Sequence, residues 1–442
     1  MLSNIPSVSV FKFLANAGRI LKNPLPFHHK NFETKGDTFK LNLGFGKHVI
    51  FSRDPEFARY ALQKNQRNYE KSPIQTRDLA KYVGEGLLTA QGDHWKKQRK
   101  LIQPAFHKKQ LAKLLDTMFE VIKEELARIT PNTPFDVFDV FNDLAFMTVV
   151  KALFQTDVDR SKINRLQYIT EQAQKMLVKE LRQPYKSLYF KYGGPIDKHL
   201  ALTREARSIL KDLVQERKES GEKPGDLLDM LLDSQYEDGS FMDEEQLIDE
   251  ILILFSAGHE TTSNALTFTV ELLARNPGWQ DRIYKEYAFA KANTQTLNEF
   301  LKTCPITKQV LEESMRLYPP AYFIDRVNIK EDVHDGKVLP EGSNLLFSII
   351  EIHSHKDFWE RPQEFDPTRF NDNAGMKHPA YFPFGAGPRM CIGNNFAMYE
   401  MILTITELVK EFKIGFKDNP IEILPLITLK PKNAILEFLP RK

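Results

Sequence analysis

The chain has 442 residues, 42% of them hydrophobic, with 61 basic and 59 acidic side chains and a net charge of +2. This hydrophobic share excludes wholesale disorder, and the near balance of charge gives no footing for a nucleic-acid binder. Two cysteines, Cys304 and Cys391, are too few for a disulfide framework and fit a reducing, cytoplasmic setting.

Met1 to Lys30 carries no long apolar run, and Lys12 interrupts its best stretch, Val8 to Ala15, so neither a secretory signal nor a membrane anchor is expected there. From Asp37 to Phe51 a hairpin is expected. Phe39, Leu41 and Leu43 alternate with polar residues, Gly44-Phe45-Gly46 turns the chain, and Val49 to Phe51 returns. Between Pro55 and about Pro320 the pattern is mostly helical, with apolar residues at three- and four-residue spacing over Leu111–Ile129 and Arg204–Lys218 and a Gly/Pro-bearing break at Ser220–Gly225. The longest helix is expected from Asp243, a capping residue with Gln246 three positions on, to Arg275, just before Pro277. Ile251 to Gly258 is nearly all apolar, but His259 and Glu260 cut the run far below a membrane span, so the helix should be buried inside protein. After Pro320 come strand-like pieces at Val338 and Leu345–Ile350, a stretch rich in Pro and aromatics from Phe358 to Phe384, and a last helix over about Ile392–Phe412. Length alone allows two or three domains, but no long linker divides the chain, so one domain over 1–442 is expected. Cys304 has no companion ligand and reads as structural.

The sharpest chemical signal is Phe384-Gly385-Ala386-Gly387-Pro388-Arg389-Met390-Cys391-Ile392-Gly393. Glycines permit positive φ and close backbone approach. The start of the following helix and the charge of Arg389 both favour a thiolate at Cys391. A solitary cysteine is ordinarily a buried small hydrophobe, and its neighbours are what argue otherwise here. The stretch resembles the haem-binding loop of the cytochrome P-450 family, Phe-x-x-Gly-x-Arg-x-Cys-x-Gly, at all five fixed positions. That resemblance implies haem b as cofactor, Cys391 as axial ligand to its iron, Arg389 paired with a haem propionate, Phe384 beside the sulfur, and Gly393 closing the loop.

Other segments resemble the family in the same order. Glu313 and Arg316, with Arg369 in Phe365-Asp366-Pro367-Thr368-Arg369-Phe370, resemble its buried charge triad, a structural device that needs every member present. Ala257-Gly258-His259-Glu260-Thr261-Thr262 resembles its oxygen-activation motif. The resemblance implies that Ala257 and Gly258 leave room for dioxygen over the haem, and that Thr261 and Glu260 support proton delivery as the catalytic pair. His259 is assigned no chemistry. Trp95 and Arg99, one turn apart, resemble the pair that holds a propionate, and Arg326 stands where a third partner is often found, with Asp325 beside it. Lys96, Lys97 and Lys100 share the segment of Arg99 and could steer an acidic ferredoxin or flavodoxin.

The resemblance runs from the Phe39 hairpin to a strand at Ile427-Thr428-Leu429. It implies a mainly α fold, with a long central helix and a β-rich part from about 37–66 and 320–350. It also implies a monomeric, cytoplasmic monooxygenase that inserts one oxygen atom of O2 into a C–H bond of a small organic substrate, by hydroxylation or O-demethylation. Electrons would come from a ferredoxin or flavodoxin served by an NAD(P)H-dependent reductase. A peroxide-using relative and a non-catalytic haem sensor are the alternatives. The intact Glu260-Thr261 pair argues against the first and the lack of an output domain against the second. Gln75, Thr76, Arg77, Tyr82, Gln172, Gln174 and Tyr185 fall in segments where the family places its substrate pocket.

Overall fold

Alternation of apolar and polar residues puts one face of the first hairpin into a core, and the computed structural model shows what covers that face. It describes residues 5–44, 47–155, 158–183, 186–416 and 421–441. The chain forms two compact units, one of residues 1–74, 312–391 and 423–430, the other of 75–311, 392–422 and 431–442.

The first unit is built on a six-stranded mixed sheet of β1 (Ser7–Val8), β2 (Thr38–Gly44), β3 (Lys47–Ser52), β4 (Tyr69–Glu70), β5 (Phe323–Asn328) and β6 (Asn344–Ser348), in the order β1-β2-β3-β6-β5-β4. In the hairpin Phe39 pairs with Phe51 and Leu41 with Val49. Helix α1 (Leu25–Lys35) lays Phe32 edge-on to Phe39, which stacks on Phe51 with ring centres 5.2 Å apart. Phe45 and Gly46 of the expected turn lie outside the described residues. The two-residue strands β1 and β4 were not expected, because two residues are too short to show a period. Beside the sheet, Phe57, Phe347, Trp359, Phe370 and Phe382 join one buried cluster.

The second unit is mainly helical, with a three-stranded sheet of Phe412–Phe416, Ile435–Pro440 and Phe135–Asp136. Its long helices are α2 (Gly92–Ile102), α3 (Leu115–Leu126), α4 (Phe138–Leu153), α5 (Arg160–Arg182), α6 (Pro195–Ser220), α7 (Glu244–Arg275) and α8 (Pro277–Asn293); α9 (Pro305–Leu317) leads out of it, and α10 (Asn394–Glu411) returns to it. With 32 residues, α7 is a rod of about 48 Å. Asp243 caps it by accepting the Gln246 N–H at 2.8 Å. The reciprocal half of the box is missing, because the Gln246 amide is drawn away to the Glu85 carbonyl and to Glu250. A two-way capping box forms instead at Thr296 and Glu299. Along α7, Phe255 stacks against Phe146 of α4 at 5.5 Å, and His259 meets the same ring edge-on at 5.1 Å. The last helix starts two residues later than expected and ends at Glu411, where Phe412 opens a strand. The strand expected at Ile427 begins only at Leu429. Among the described residues no helix is long and apolar enough to cross a membrane.

Candidate active site

The Cys391 loop is shaped by its glycines. Gly385 and Gly387 hold φ of +73° and +71°, conformations that other residues rarely adopt. A side-chain carbon on Gly387 would stand 1.9 Å from the carbonyl oxygen of Leu62, so only glycine lets the loop rest on that backbone. The Cys391 N–H donates to the Phe384 carbonyl at 2.9 Å and the Met390 N–H to Gly387 at 3.0 Å, drawing the loop into a tight curl. Cys391 is exposed on it, whereas Cys304 is buried. Burial pushes the Cys304 thiol up, as suits a structural cysteine. Gly393 caps α10.

Two cations share this unit with the loop. Burial pushes the Arg389 guanidinium down to about 10, and the charge of Arg326 adds to the effect. Burial likewise lowers Arg326, which is only 7% exposed. Asp325, whose charge stands near a predicted propionate contact, gives its carboxylate to the N–H and hydroxyl of Ser72, while its carbonyl accepts from Arg326 at 2.7 Å. A buried and a half-buried guanidinium that repel each other fit an anionic guest, and the propionates of haem have that charge. Together with an exposed thiol on a glycine-relaxed loop, these residues fit haem.

The expected triad forms. Arg316 grips Glu313 with two hydrogen bonds, of 2.7 and 2.8 Å, and both side chains have no exposed surface. Arg369 approaches the same carboxylate at 3.5 Å. The remaining donors of Arg316 go to the carbonyls of His353, Pro362 and Glu364, and the Asp366 N–H donates to Glu313 at 2.9 Å. Burial pulls His353 down to about 3, keeping it neutral, and its Nε2 accepts the Phe382 N–H at 2.8 Å. Sequence reading missed His353 because nothing in its neighbours marks it.

On α7 most residues from Leu247 to Ala274 are buried, yet Ala257 is exposed and Thr261, one turn on, is half-buried. The Thr261 hydroxyl donates to the Ala257 carbonyl at 2.9 Å and that of Thr262 to Gly258 at 3.0 Å, two adjacent back-bonds that share helix acceptors without breaking the helix. Gly258 packs toward α4. A side chain there would meet Val149 of α4 at 3.0 Å, so its small size serves helix packing, and Ala257 occupies the open face. Glu260 is 6% exposed. The His259 Nδ1 lies 2.6 Å from the Phe255 carbonyl, within its own helix.

On α2, Trp95 is buried and Arg99 half-buried, the latter donating to Gln103 at 3.0 Å. Beside them, Lys96, Lys97 and Lys100 are exposed. Lys96 pairs with Asp93 at 2.8 Å, and Lys100 pairs with Glu237.

The family model described as Cytochrome P450 matches residues 5–438. Curated relatives include a cyclooctat-9-en-7-ol 5-monooxygenase from Streptomyces melanosporofaciens, 27% identical over 91% of this chain and 87% of its own. A pentalenene oxygenase from Streptomyces avermitilis is 26% identical over 91% and 89%. Among solved structures, the haem domain of cytochrome P450DA superposes with a TM-score of 0.87 at 23% identity, over 99% of this chain and 98% of that one, and so shares the fold. Taken with the glycine-curled cysteine loop and the buried charge triad, these matches place the chain in the cytochrome P450 family, as a haem b-dependent monooxygenase that works with O2, an organic substrate and a source of electrons.

Proposed function

We propose that Cys391 is the axial thiolate and that this enzyme hydroxylates a small organic substrate, or O-demethylates it where the attacked C–H belongs to a methyl ether. The observation that carries the reading is the exposed Cys391 on a loop whose two positive-φ glycines curl it through the Phe384 carbonyl. Haem, when bound, supplies oxygen activation and the electron sink, and a thiolate ligand favours O–O cleavage. The protein's own share is distributed. Arg389, Arg326, Trp95 and Arg99 would hold the propionates, and Phe384 and Gly393 would frame the sulfur. Ala257 keeps the oxygen face of α7 open. Thr261 presents its hydroxyl there, and Glu260 relays protons toward it.

The substrate has a largely hydrocarbon skeleton with a polar group. Leu79, Leu88, Met176, Leu177 and Ile253 make the region of the expected pocket mainly apolar. Of the polar residues expected there, Tyr82 is engaged by Glu180, and Gln174 donates to the Ser256 carbonyl at 3.3 Å; Tyr185 lies outside the described residues. A terpenoid fits this balance better than a sugar ether, and the names of the two Streptomyces relatives point the same way. Electrons come from a separate ferredoxin or flavodoxin with its NAD(P)H-dependent reductase, and the enzyme works as a cytoplasmic monomer. The test is substrate-dependent NAD(P)H oxidation with a ferredoxin system under labelled O2. One labelled oxygen atom in the product supports the reading; turnover driven by peroxide alone replaces it with the peroxide-using alternative.

A further inference from the structure

Shortly before α7 the chain makes a tight hairpin against α2 of the same unit. An isolated bridge pairs Gln235 with Phe241. The Tyr236 N–H donates to the Ser240 carbonyl at 2.8 Å, and the Gly239 N–H to the Tyr236 carbonyl at 3.0 Å. Gly239, at a φ of +81°, makes the turn. Asp238 stiffens it by accepting the N–H and the hydroxyl of Ser240, at 2.9 and 2.6 Å. The tip, Glu237-Asp238-Gly239, carries two acids and no base.

Two contacts fix where this tip sits. The amide of Gln98, which is 2% exposed on α2, donates to the Tyr236 hydroxyl at 2.8 Å. Beside that anchor, Glu237 pairs with Lys100. Lys97 also reaches the tip: the Ser240 groups hold the Asp238 carboxyl below the usual carboxylate range, and the charge of Lys97 adds to the effect. Lys96 is held by Asp93 of α2 itself. All six of these charged side chains are exposed, and three lysines with three acids sum to zero.

An exposed pair such as Glu237 with Lys100 adds little to stability. Its larger effect is on the field that an approaching molecule meets, because exposed charges govern association rate and its salt dependence. We propose that the 236–240 hairpin is a built-in acidic competitor, which occupies the lysines of α2 and slows the docking of an acidic electron-donor protein on that helix. The inference rests on the proposed supply of electrons by a separate ferredoxin or flavodoxin. The buried Gln98 anchor is what separates this contact from a chance meeting of surface side chains: it holds Tyr236, and with it the neighbouring acids, over the exposed face of α2.

Stopped-flow reduction of the haem-loaded protein by a pre-reduced plant-type ferredoxin reads the docking rate. Calorimetry with the oxidised ferredoxin reads the affinity without electron transfer. In the double variant Glu237→Gln, Asp238→Asn the second-order rate should rise about fivefold at an ionic strength of about 10 mM, and binding should tighten by a similar factor. The gain should vanish by about 1 M, where charges are screened beyond about 3 Å. Lys97→Gln should slow reduction and weaken binding. A control double variant, Glu205→Gln with Glu216→Gln, neutralises two acids of α6 that pair with Arg165 and Lys162 of α5, and should match the native protein. A tip variant no faster than the native protein, with Lys97→Gln slower, overturns the proposal and leaves the ferredoxin reading standing. Identical behaviour of native protein, tip variant and Lys97→Gln shows that the donor does not dock on α2, and defeats the proposal at that earlier step. A control variant as fast as the tip variant also overturns it, because net charge alone would then explain the gain.

Discussion

A thiol serves as a ligand only where the backbone presents it and the surroundings favour its anion. At Cys391 the first condition rests on Gly387, whose approach to the Leu62 carbonyl leaves no space for a methyl group. Gly387→Ala should shift the loop, at a cost of about 1–3 kcal/mol, and reduce the haem retained after gel filtration. The proposed proton path rests on Thr261. Thr261→Ala should keep oxidising NAD(P)H while product per coenzyme falls, by up to about 10²-fold, the remainder leaving as hydrogen peroxide. Unchanged coupling in that variant would remove Thr261 from proton delivery. At this scale the sequence was informative about identity and poor about direction. Cys391 and Thr261 stood out by their neighbours. That Gly258 faces Val149 could not be read, because which way a helical position points depends on the partner helix.

Elements carry the fold's charge logic. Glu313 and Arg316 are one turn apart on α9, and their bidentate contact is helix geometry that spacing alone predicts. What makes burial tolerable is the shell of carbonyls from His353, Pro362 and Glu364, which no spacing reveals because it comes from irregular chain some forty residues away. Glu313→Gln leaves Arg316 buried with its charge uncompensated and should destabilise the protein by about 3–5 kcal/mol in denaturant unfolding. Arg369→Ala, which removes the longer contact, should cost less. A smaller loss for Glu313→Gln than for Arg369→Ala would reverse this ranking. The same contrast holds for α7: its ends were legible from Asp243 and Pro277, but its capping box was not completed because Gln246 found partners in a distant loop.

Across the whole molecule, charge is nearly balanced and much of it is paired, including Lys96 and Lys100, two of the three lysines of α2 that sequence alone offered as a docking patch. Acid lability should come from buried histidines. Burial pulls His28 down to about 3, with its ring packed 4.5 Å from Phe51. An unfolded chain takes up this proton below about pH 6.5 and the folded one does not, so stability is lost as pH falls from about 6.5 toward 3, by about 1 kcal/mol per pH unit for each such histidine. His28→Phe should flatten this slope in thermal unfolding at mildly acid pH, and an unchanged slope would contradict the account. The proposed chemistry depends on one coordination bond. The measurement that tests it most directly is the absorption spectrum of the reduced, carbon monoxide-bound protein beside its Cys391→His variant. A strongly red-shifted Soret band in the native protein, lost in the variant, is the predicted result. A native band typical of imidazole ligation, or one that survives in Cys391→His, would contradict the assignment of the thiolate.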